Sequence, residues 1–464
     1  MKRILFSVIC LLVLGVPAFS EIGLSLDLGT GMRFDKSEFT PSTKATFFLN
    51  ESASEALNFD LRLGFNGAWT AGLDVPEADP IHPLLYLSID SLALSGQTYS
   101  SESGDGFSYR VGRFAHSEPS GRVFSGTLDG FSLGFETGAV TTGITLGYTG
   151  LVFKNASGIM MSYADLLRAG DSTKILGSPR VIGAVRMALP PLANQSITLH
   201  ALIQEDLTAL TDGQAPESAI RNEDGSLITE GDPVQSFKGG SLNTFYAGLG
   251  VRGPILPTLY YNAGMVYGGG SVLSNNGQDV YKNAALHSLG LYGRLSFFTP
   301  QFLSGAYNLV VSYASGDADT ESVWGVNGTG SASQFTPVAG PSFGMVFSPA
   351  FSNLLVIQLD GGIKPFQNLR FLGSDKLQMQ LKLFGFIRPT LGAVSETDIV
   401  VGDGHNYLGT EADLMINYRP FSDLGISLGT GLFFGNTESF VVDGEGAVVS
   451  AVRAALRLDV SFTM

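Results

Sequence analysis

The chain ends with the sequence AALRLDVSFTM, residues 454 to 464, in which large apolar side chains alternate with polar ones. The apolar side chains fall on one side of an extended backbone, and they are Leu456, Leu458, Val460, Phe462 and Met464. Because successive side chains of a strand point to opposite faces, this pattern predicts a strand with one apolar and one polar face. A strand that runs to the last residue leaves a bare edge unless the sheet closes, so the ending predicts a β-barrel.

The same period of two recurs along most of the chain. Its clearest further examples are residues 57–66, 355–364, 377–383 and 410–419. Weaker segments bring the total to about eighteen, which leaves roughly 25 residues for each strand with its connection. That length suits strands that cross a bilayer, which need about 9 to 11 tilted residues. Between Leu85 and Leu94 the apolar positions change parity after Ile89, which predicts a β-bulge.

The connections between these segments fall into two classes by length. Short turns are predicted at residues 137–140, 189–194, 253–257 and 419–423. Long connections are predicted at residues 149–179, 205–242, 268–285, 315–341 and 388–409. Bacterial outer-membrane barrels have short periplasmic turns and long outer loops. We therefore expect an all-β fold, a transmembrane antiparallel β-barrel of about eighteen strands with both termini on the periplasmic side.

Residues 1–20 have the three parts of a secretory signal peptide. Lys2 and Arg3 precede an apolar run, and a small-residue pattern ends at Ser20. We expect this segment to be removed and residues 21–464 to form one outer-membrane barrel, exported through the general secretory route. Removal takes away the only cysteine, Cys10, which excludes disulfides and thiolate chemistry from the mature chain.

Composition narrows the class of protein further. Charged residues make up 15% of the chain, glycine accounts for 59 of 464 residues, and the formal net charge is −15. No stretch after the signal approaches the roughly 20 apolar residues that a spanning helix needs, which excludes a helical membrane protein. The negative charge argues against a nucleic-acid partner, because backbone phosphates require Lys and Arg.

Two resemblances to known proteins point the same way. The aromatic, alternating final strand resembles the signal by which outer-membrane barrels are delivered to the barrel-assembly machinery, with Met464 in place of the usual terminal Phe. Five fragments resemble the alginate-export type of outer-membrane barrel: VGR at 111–113, LDG at 128–130, GYTG at 147–150, SYASGD at 312–317 and LGTEADL at 408–414. This resemblance implies a porin-like barrel with a basic lumen, lumenal Arg113 and Glu411, and passive passage of hydrophilic solutes, without implying alginate itself.

Charged residues on the polar faces of the strands are the candidate pore lining. We expect these positions to face the lumen: Arg62, Arg110, Arg113, Arg186, Arg252, Arg294, Lys364, Lys382, Glu411 and Asp413. A lumen with charges of both signs is typical of a polar, hydrated interior.

Other candidate sites have simpler interpretations. The sequence GPSFG at 340–344 matches the pattern of a serine nucleophile but enters a predicted strand where that motif requires a helix. The five histidines are scattered without metal-ligand spacing: His82, His116, His200, His287 and His405. Asp317, Asp319 and Glu321 lack the glycine of a calcium loop. We therefore predict no catalytic residue, metal or cofactor. Residues 159–169 have a helical pattern and are either an inward constriction or a surface cap.

The predicted function is a porin-like outer-membrane channel for passive passage of small hydrophilic solutes, anions included. Its expected partners are outer-membrane lipid, the barrel-assembly machinery and the solutes, and the sequence leaves monomer and trimer both open. Three alternatives remain. They are a fatty-acid-type transporter of hydrophobic compounds, a surface adhesin anchored by the barrel, and a barrel enzyme.

Overall fold

The alternating segments of the sequence are strands in the computed structural model. The structure describes residues 21–34, 37–54, 57–69, 71–72, 84–100, 104–162, 165, 168–169, 171, 173–208, 242–275, 281–320, 331–369, 375–396, 398–440 and 452–464. The predicted signal peptide and His82 lie outside these residues. In this part of the chain, no helix has the length and apolar character that a membrane span requires.

Eighteen strands, labelled β1 to β18 in chain order, form one sheet in the described residues. Their bounds are β1 Glu21–Arg33, β2 Glu38–Ser54, β3 Leu57–Ala68, β4 Leu84–Tyr99, β5 Gly106–Ser117, β6 Ser125–Glu136, β7 Thr141–Tyr148, β8 Arg180–Ala188, β9 Ser196–Asp206, β10 Leu242–Leu256, β11 Leu259–Asn275, β12 Tyr281–Thr299, β13 Gly305–Ala314, β14 Leu354–Ile363, β15 Leu377–Ile387, β16 Tyr407–Tyr418, β17 Leu424–Gly435 and β18 Val452–Thr463. β3 resumes after a short break as Ala71–Gly72, which pairs with the start of β2. Single helical turns lie at Lys154–Ser157 and Thr437–Ser439.

Each strand pairs antiparallel with its neighbours in sequence, and the last strand pairs with the first. The closing ladder between β1 and β18 runs from Ser25 opposite Thr463 to Arg33 opposite Ala455. Closure satisfies backbone hydrogen-bonding groups that lipid could not satisfy. The closed antiparallel barrel of eighteen strands confirms the fold predicted from the C-terminal sequence.

The outer face of the barrel is apolar. On β1 the outward residues Ile22, Leu24, Leu26 and Leu28 are between 38% and 47% exposed. Near the end with the short turns, exposed aromatic side chains lie on β4–β6 and on β11–β13, and they are Tyr99, Phe107, Phe135, Tyr260, Phe297 and Tyr307. An apolar band flanked by aromatic residues is the outer surface of a transmembrane barrel.

The predicted bulge lies in β4. Arg62 pairs with Ser91 and Leu63 pairs with Ile89, so Asp90 is the extra residue. The bulge turns Asp90 and Ser91 to the same side, where both line the lumen. One extra residue therefore brings two consecutive polar side chains into the interior.

Most connections are short at one end and long at the other, as predicted, but the connections 34–37 and 276–280 are short at the long-loop end, and 364–376 is long at the short-turn end. The long connection predicted at 268–285 is therefore wrong, and three other features also differ. The turn predicted at 253–257 lies further along, because β10 continues to Leu256 through a bulge that accommodates Pro254, which has no backbone N–H. The glycines at 268–270 belong to β11, where a side chain at Gly269 would lie 2.5 Å from the Phe245 ring. Residues near Phe343 belong to a loop that continues to residue 353, since their aromatic side chains pack inside the barrel.

Replacing Leu26 by Arg tests the lipid-facing assignment. We expect Leu26→Arg to destabilise the folded barrel by about 2 to 4 kcal/mol, the cost of an Arg on the lipid face near the bilayer midplane. Ser25→Arg, one residue away on the lumenal face, is the matched control and should change stability far less. Urea titration of both variants in lipid vesicles measures the difference, and equal effects would contradict the assignment.

Candidate pore and its inward loops

A set of cavities occupies the lumen beside β1–β4 and β15–β18. The largest has a volume of about 1340 Å³ and lies against the inner face of β1 to β4. Three smaller cavities, of about 550, 420 and 420 Å³, continue around β15–β18 and reach the short-turn end. Lys44 lines both the largest cavity and its neighbour, and Asp459 lines all three smaller ones. The cavities therefore adjoin one another along this side of the barrel.

Three of the predicted pore-lining residues lie at the largest cavity. Arg62 pairs with Asp60 at 3.3 Å, and Arg113 makes two hydrogen bonds of 2.8 Å to Asp129. Arg110 lines the cavity and is exposed, and it has no carboxylate within 4 Å among the described residues. Arg110 is thus the arginine of this group whose charge is not paired within the described chain.

The predicted residues of β14 to β16 lie together on the opposite arc. Lys382 stands directly opposite Asp360 on one neighbouring strand and Asp413 on the other. Lys382 and Asp413 line the same cavity. Lys364 lies just beyond β14 and lines the cavity at the short-turn end. This arc therefore combines both signs of charge at one wall.

The remaining predicted arginines lie apart from these cavities. Arg186 lines a separate cavity of about 310 Å³ near the short-turn end of β5 to β8. Arg252 is exposed near the end of β10. Arg294 on β12 is exposed and faces the β5–β6 loop, where burial and the Arg294 charge lower the pKa of Arg122.

Glu411, predicted to face the lumen, binds the backbone of a loop inside the barrel. Its buried carboxylate accepts hydrogen bonds from the backbone N–H groups of Met345, Val346 and Phe347, at 2.5, 2.8 and 2.8 Å. These residues belong to the β13–β14 loop, residues 315–353. Gly344 has a φ of +72°, a backbone conformation that glycine adopts without strain. The turn at Gly344 points the three following N–H groups toward one carboxylate. Glu411 therefore fixes the loop inside the barrel.

The β13–β14 loop also contacts the far wall. Ala332 pairs in parallel with Leu286 on β12, and Ala339 pairs in parallel with Phe124 beside β6. Its buried phenylalanines belong to a hydrophobic cluster that includes residues from β6 to β18. The loop thus crosses the lumen, from Glu411 on β16 to β12 and the β5–β6 loop.

The β5–β6 loop, residues 118–124, is held by a second buried carboxylate. Glu118 accepts hydrogen bonds from the N–H groups of Ser120, Arg122 and Val123 at 2.6, 2.7 and 3.0 Å. Oε2 of Glu118, which accepts from Ser120, also lies 3.3 Å from Nε2 of His200 on β9. The carboxylate therefore fixes the loop conformation and ties it to a strand across the barrel.

Arg122 of this loop lies among aromatic rings. Its guanidinium carbon is 5.8, 5.8 and 5.6 Å from the ring centres of Tyr292, Phe343 and Phe351. The contact joins the β5–β6 loop to the β13–β14 loop through cation–π interactions.

The predicted helical stretch 159–169 packs inward where it is described. Met161 is fully buried in the hydrophobic cluster, and Asp165 pairs with Arg180 at 2.6 Å. Arg180 also pairs with Asp206 at 3.1 Å, and all three side chains are buried. A buried guanidinium between two carboxylates fixes the β7–β8 loop, residues 149–179, to the barrel wall.

The remaining candidate sites show no catalytic or metal geometry. Ser342 lies in the β13–β14 loop, bridged to Ala350, with no helix behind it in the described residues. Burial and the neighbouring Asp319 raise the pKa of the Asp317 carboxyl, and Glu321 lies outside the described residues. The described part of the chain contains no group of three metal-ligating side chains.

The geometry defines a class of protein, the outer-membrane-type β-barrel with loops folded into its lumen. Solved structures of Pseudomonas aeruginosa outer-membrane proteins share this fold. OccK5 (OpdH) matches with a TM-score of 0.54 at 13% identity over 96% of this chain and 98% of that chain. OccK7 (OpdD) matches at 0.53 and 13%, over 96% and 99%, and OprD at 0.50 and 11%, over 96% and 93%. No protein-family model matches the sequence, and no curated protein matches it significantly.

Glu411→Gln tests the loop anchor. Replacing the carboxylate with a neutral amide weakens three charge-assisted hydrogen bonds, so we expect the free energy of unfolding to fall by about 2 to 4 kcal/mol. Release of the loop should also increase open-channel noise in single-channel recordings. Glu438→Gln, an exposed carboxylate of the β17–β18 connection, is the control. Wild-type noise and stability in Glu411→Gln would contradict the anchor.

Proposed function

We propose that this protein is a porin-like outer-membrane channel for passive passage of small hydrophilic solutes. The observation that carries the proposal is the connected, charged space along β1–β4 and β15–β18, enclosed by a barrel whose outer face is apolar. Diameter increases with strand number, and barrels of 16 to 18 strands leave an aqueous channel. The inward loops narrow this channel without filling it.

We propose anions as the favoured solutes because Arg110, an exposed arginine without a carboxylate partner in the described chain, lines the largest cavity. Among described residues, Arg110, Arg186 and Arg294 have no carboxylate within 4 Å, and Arg110 lines the connected cavities. Two lumenal carboxylates have partners within the protein, whereas Asp27, which also lines the largest cavity, has no hydrogen-bond or ion-pair partner in the described chain. Asp90 binds Lys44 at 2.6 Å, and Asp360 accepts a hydrogen bond of 2.6 Å from Asn308. Free guanidinium groups attract carboxylate and phosphate groups.

Planar-bilayer recordings test both the channel and its selectivity. We expect stepwise conductance from the refolded protein. Arg110→Gln, Arg186→Gln and Arg294→Gln should each lower the chloride-to-potassium permeability ratio, by about twofold, because each removes one lumenal positive charge. Thr258→Glu changes the net charge equally but in an exposed short turn, and should leave the ratio unchanged. A triple variant with wild-type reversal potential would contradict the lumenal role of these arginines, and absence of conductance would contradict the channel.

The finer family assignment also belongs to this proposal. The alginate-export resemblance and the Occ-type fold agree on a porin-type barrel, and we propose no particular substrate from either. No enzymatic role is proposed, and monomer and trimer both remain consistent with the apolar belt. We propose outer-membrane lipid as the surrounding medium and the barrel-assembly machinery as the partner that recognises β18.

A further inference from the structure

The barrel wall is interrupted between β4 and β5 on the side of the long loops. Their ladder ends at Leu92 opposite Arg113. Beyond it, residues 84–91 of β4 pair only with β3, and residues 114–117 of β5 pair only with β6, within the described chain. β5 has twelve residues, close to the number that crosses a bilayer, so its last four residues lie at the level of the outer leaflet.

The cause of the interruption is an inward bend of the β5–β6 hairpin. Gly112 has a φ of +119°, and a side chain there would lie 2.2 Å from the Leu92 carbonyl oxygen, so only glycine fits at the bend. Arg113 and Asp129 occupy the same face of the hairpin as Val111 and Phe131, which are exposed in the lipid belt. Arg113 nevertheless lines the largest cavity. Above the bend, the outer face of the hairpin therefore turns toward the lumen.

The β7–β8 loop packs on the lumenal face of β4 beside the interruption. Phe153 of the loop stacks on Tyr86 of β4, with ring centres 4.2 Å apart and planes at 6°. Arg113 donates hydrogen bonds to the Leu151 carbonyl at 3.0 Å and to the Ile89 carbonyl at 3.2 Å, which links the loop to the edge of β4. Among the described residues, no backbone hydrogen bond joins this loop to β4. We call this boundary, between residues 84–91 of β4 and residues 151–153 and 175–176 of the loop, the seam.

Side-chain exposure agrees with an open edge at the seam. Leu85 and Leu87 on the outer face of β4 are 60% and 66% exposed, at the upper end of the range for outward residues on fully paired strands, which runs from 38% at Leu26 to 60% at Ile203. On the loop side, Leu151 and Ile175 are 53% and 62% exposed. Leu151 and Ile175 also line the largest cavity, so the apolar side chains of the loop border the lumenal side of the seam.

The cavity behind the seam has two unlike walls. Apolar residues of the β7–β8 loop, including Val152, Phe153 and Leu176, form one wall, and the polar inner face of β1–β4 forms the other. Arg110, which is unpaired in the described chain, faces this cavity beside the Phe114 ring, 5.8 Å from its centre. An apolar wall next to a free guanidinium fits a molecule with an apolar tail and an anionic head.

We propose that the seam is a lateral portal, through which small anionic amphiphiles pass between the outer leaflet and the largest lumenal cavity, with the head group on Arg110 and the tail along the β7–β8 loop. This route is separate from axial passage of hydrophilic solutes and does not depend on it.

Cross-linking the seam tests the portal. Tyr86→Cys/Phe153→Cys, joined by a short bifunctional thiol reagent, should close it, and Ser132→Cys/Thr145→Cys is the matched control, because those side chains lie 2.9 Å apart on the paired strands β6 and β7. The probe is dansyl-undecanoate in phosphatidylcholine vesicles. We expect the cross-link to slow exchange of bound probe with lipid by about tenfold or more, because opening of the seam then limits the rate. The control cross-link should leave exchange unchanged.

Three further measurements test the portal separately from the channel. Potassium chloride conductance should be the same before and after the seam cross-link, so loss of conductance in every sample would contradict the channel and not the portal. Arg110→Gln should weaken probe binding by about tenfold, the effect of one charge-assisted hydrogen bond. A bimane label at Ile175→Cys should be quenched by brominated lipid as strongly as one at Leu428→Cys. Absence of saturable probe binding, unchanged exchange after cross-linking, or an unquenched Ile175 label would overturn the portal.

Discussion

Closure of the backbone hydrogen-bond ring is the constraint on which the rest of the structure depends. Lipid offers no partner to an N–H or C=O group, so a sheet in a membrane must pair its last strand with its first. The ladder between β1 and β18 provides that pairing. Once the ring is closed, each strand has one face in lipid and one face in the lumen, and the alternation of the sequence follows from this division.

The lumen of a barrel this wide cannot be filled by strand side chains alone, so the loops determine its shape. Buried charges hold them there. Glu411 and Glu118 each accept three backbone N–H groups, and Arg180 is bound by two carboxylates. A buried charge is stable only when its hydrogen-bonding capacity is satisfied. Few loop conformations place the required partners around each of these charged groups. The same groups that restrict the channel therefore define one conformation for the loops.

Period-two alternation was sufficient to predict the fold, including the bulge after Ile89, because strand parity is a local property that sequence records directly. The contents of the lumen were not predictable in the same way. Glu411 resembles any polar-face charge, and nothing in its surroundings in sequence indicates the three N–H groups that come from residues 345–347. The inward loops depend on contacts between residues far apart in the chain. The one local signal for them was the helical pattern at 159–169, whose described residues pack inside the barrel.

The interrupted ladder between β4 and β5 departs from complete pairing of the wall. The interruption is confined to the upper part of the wall. The β4–β5 ladder ends at Leu92 opposite Arg113, above the middle of β5, and the wall below this pair stays hydrogen-bonded. Above that level Arg113 supplies hydrogen-bond donors to carbonyl groups on both sides of the seam. A guanidinium with five donors can satisfy backbone acceptors that no strand reaches. Arg113 thus satisfies one carbonyl group on each side of the seam. The bend at Gly112 lies where the β4–β5 ladder ends, just before the β5–β6 loop.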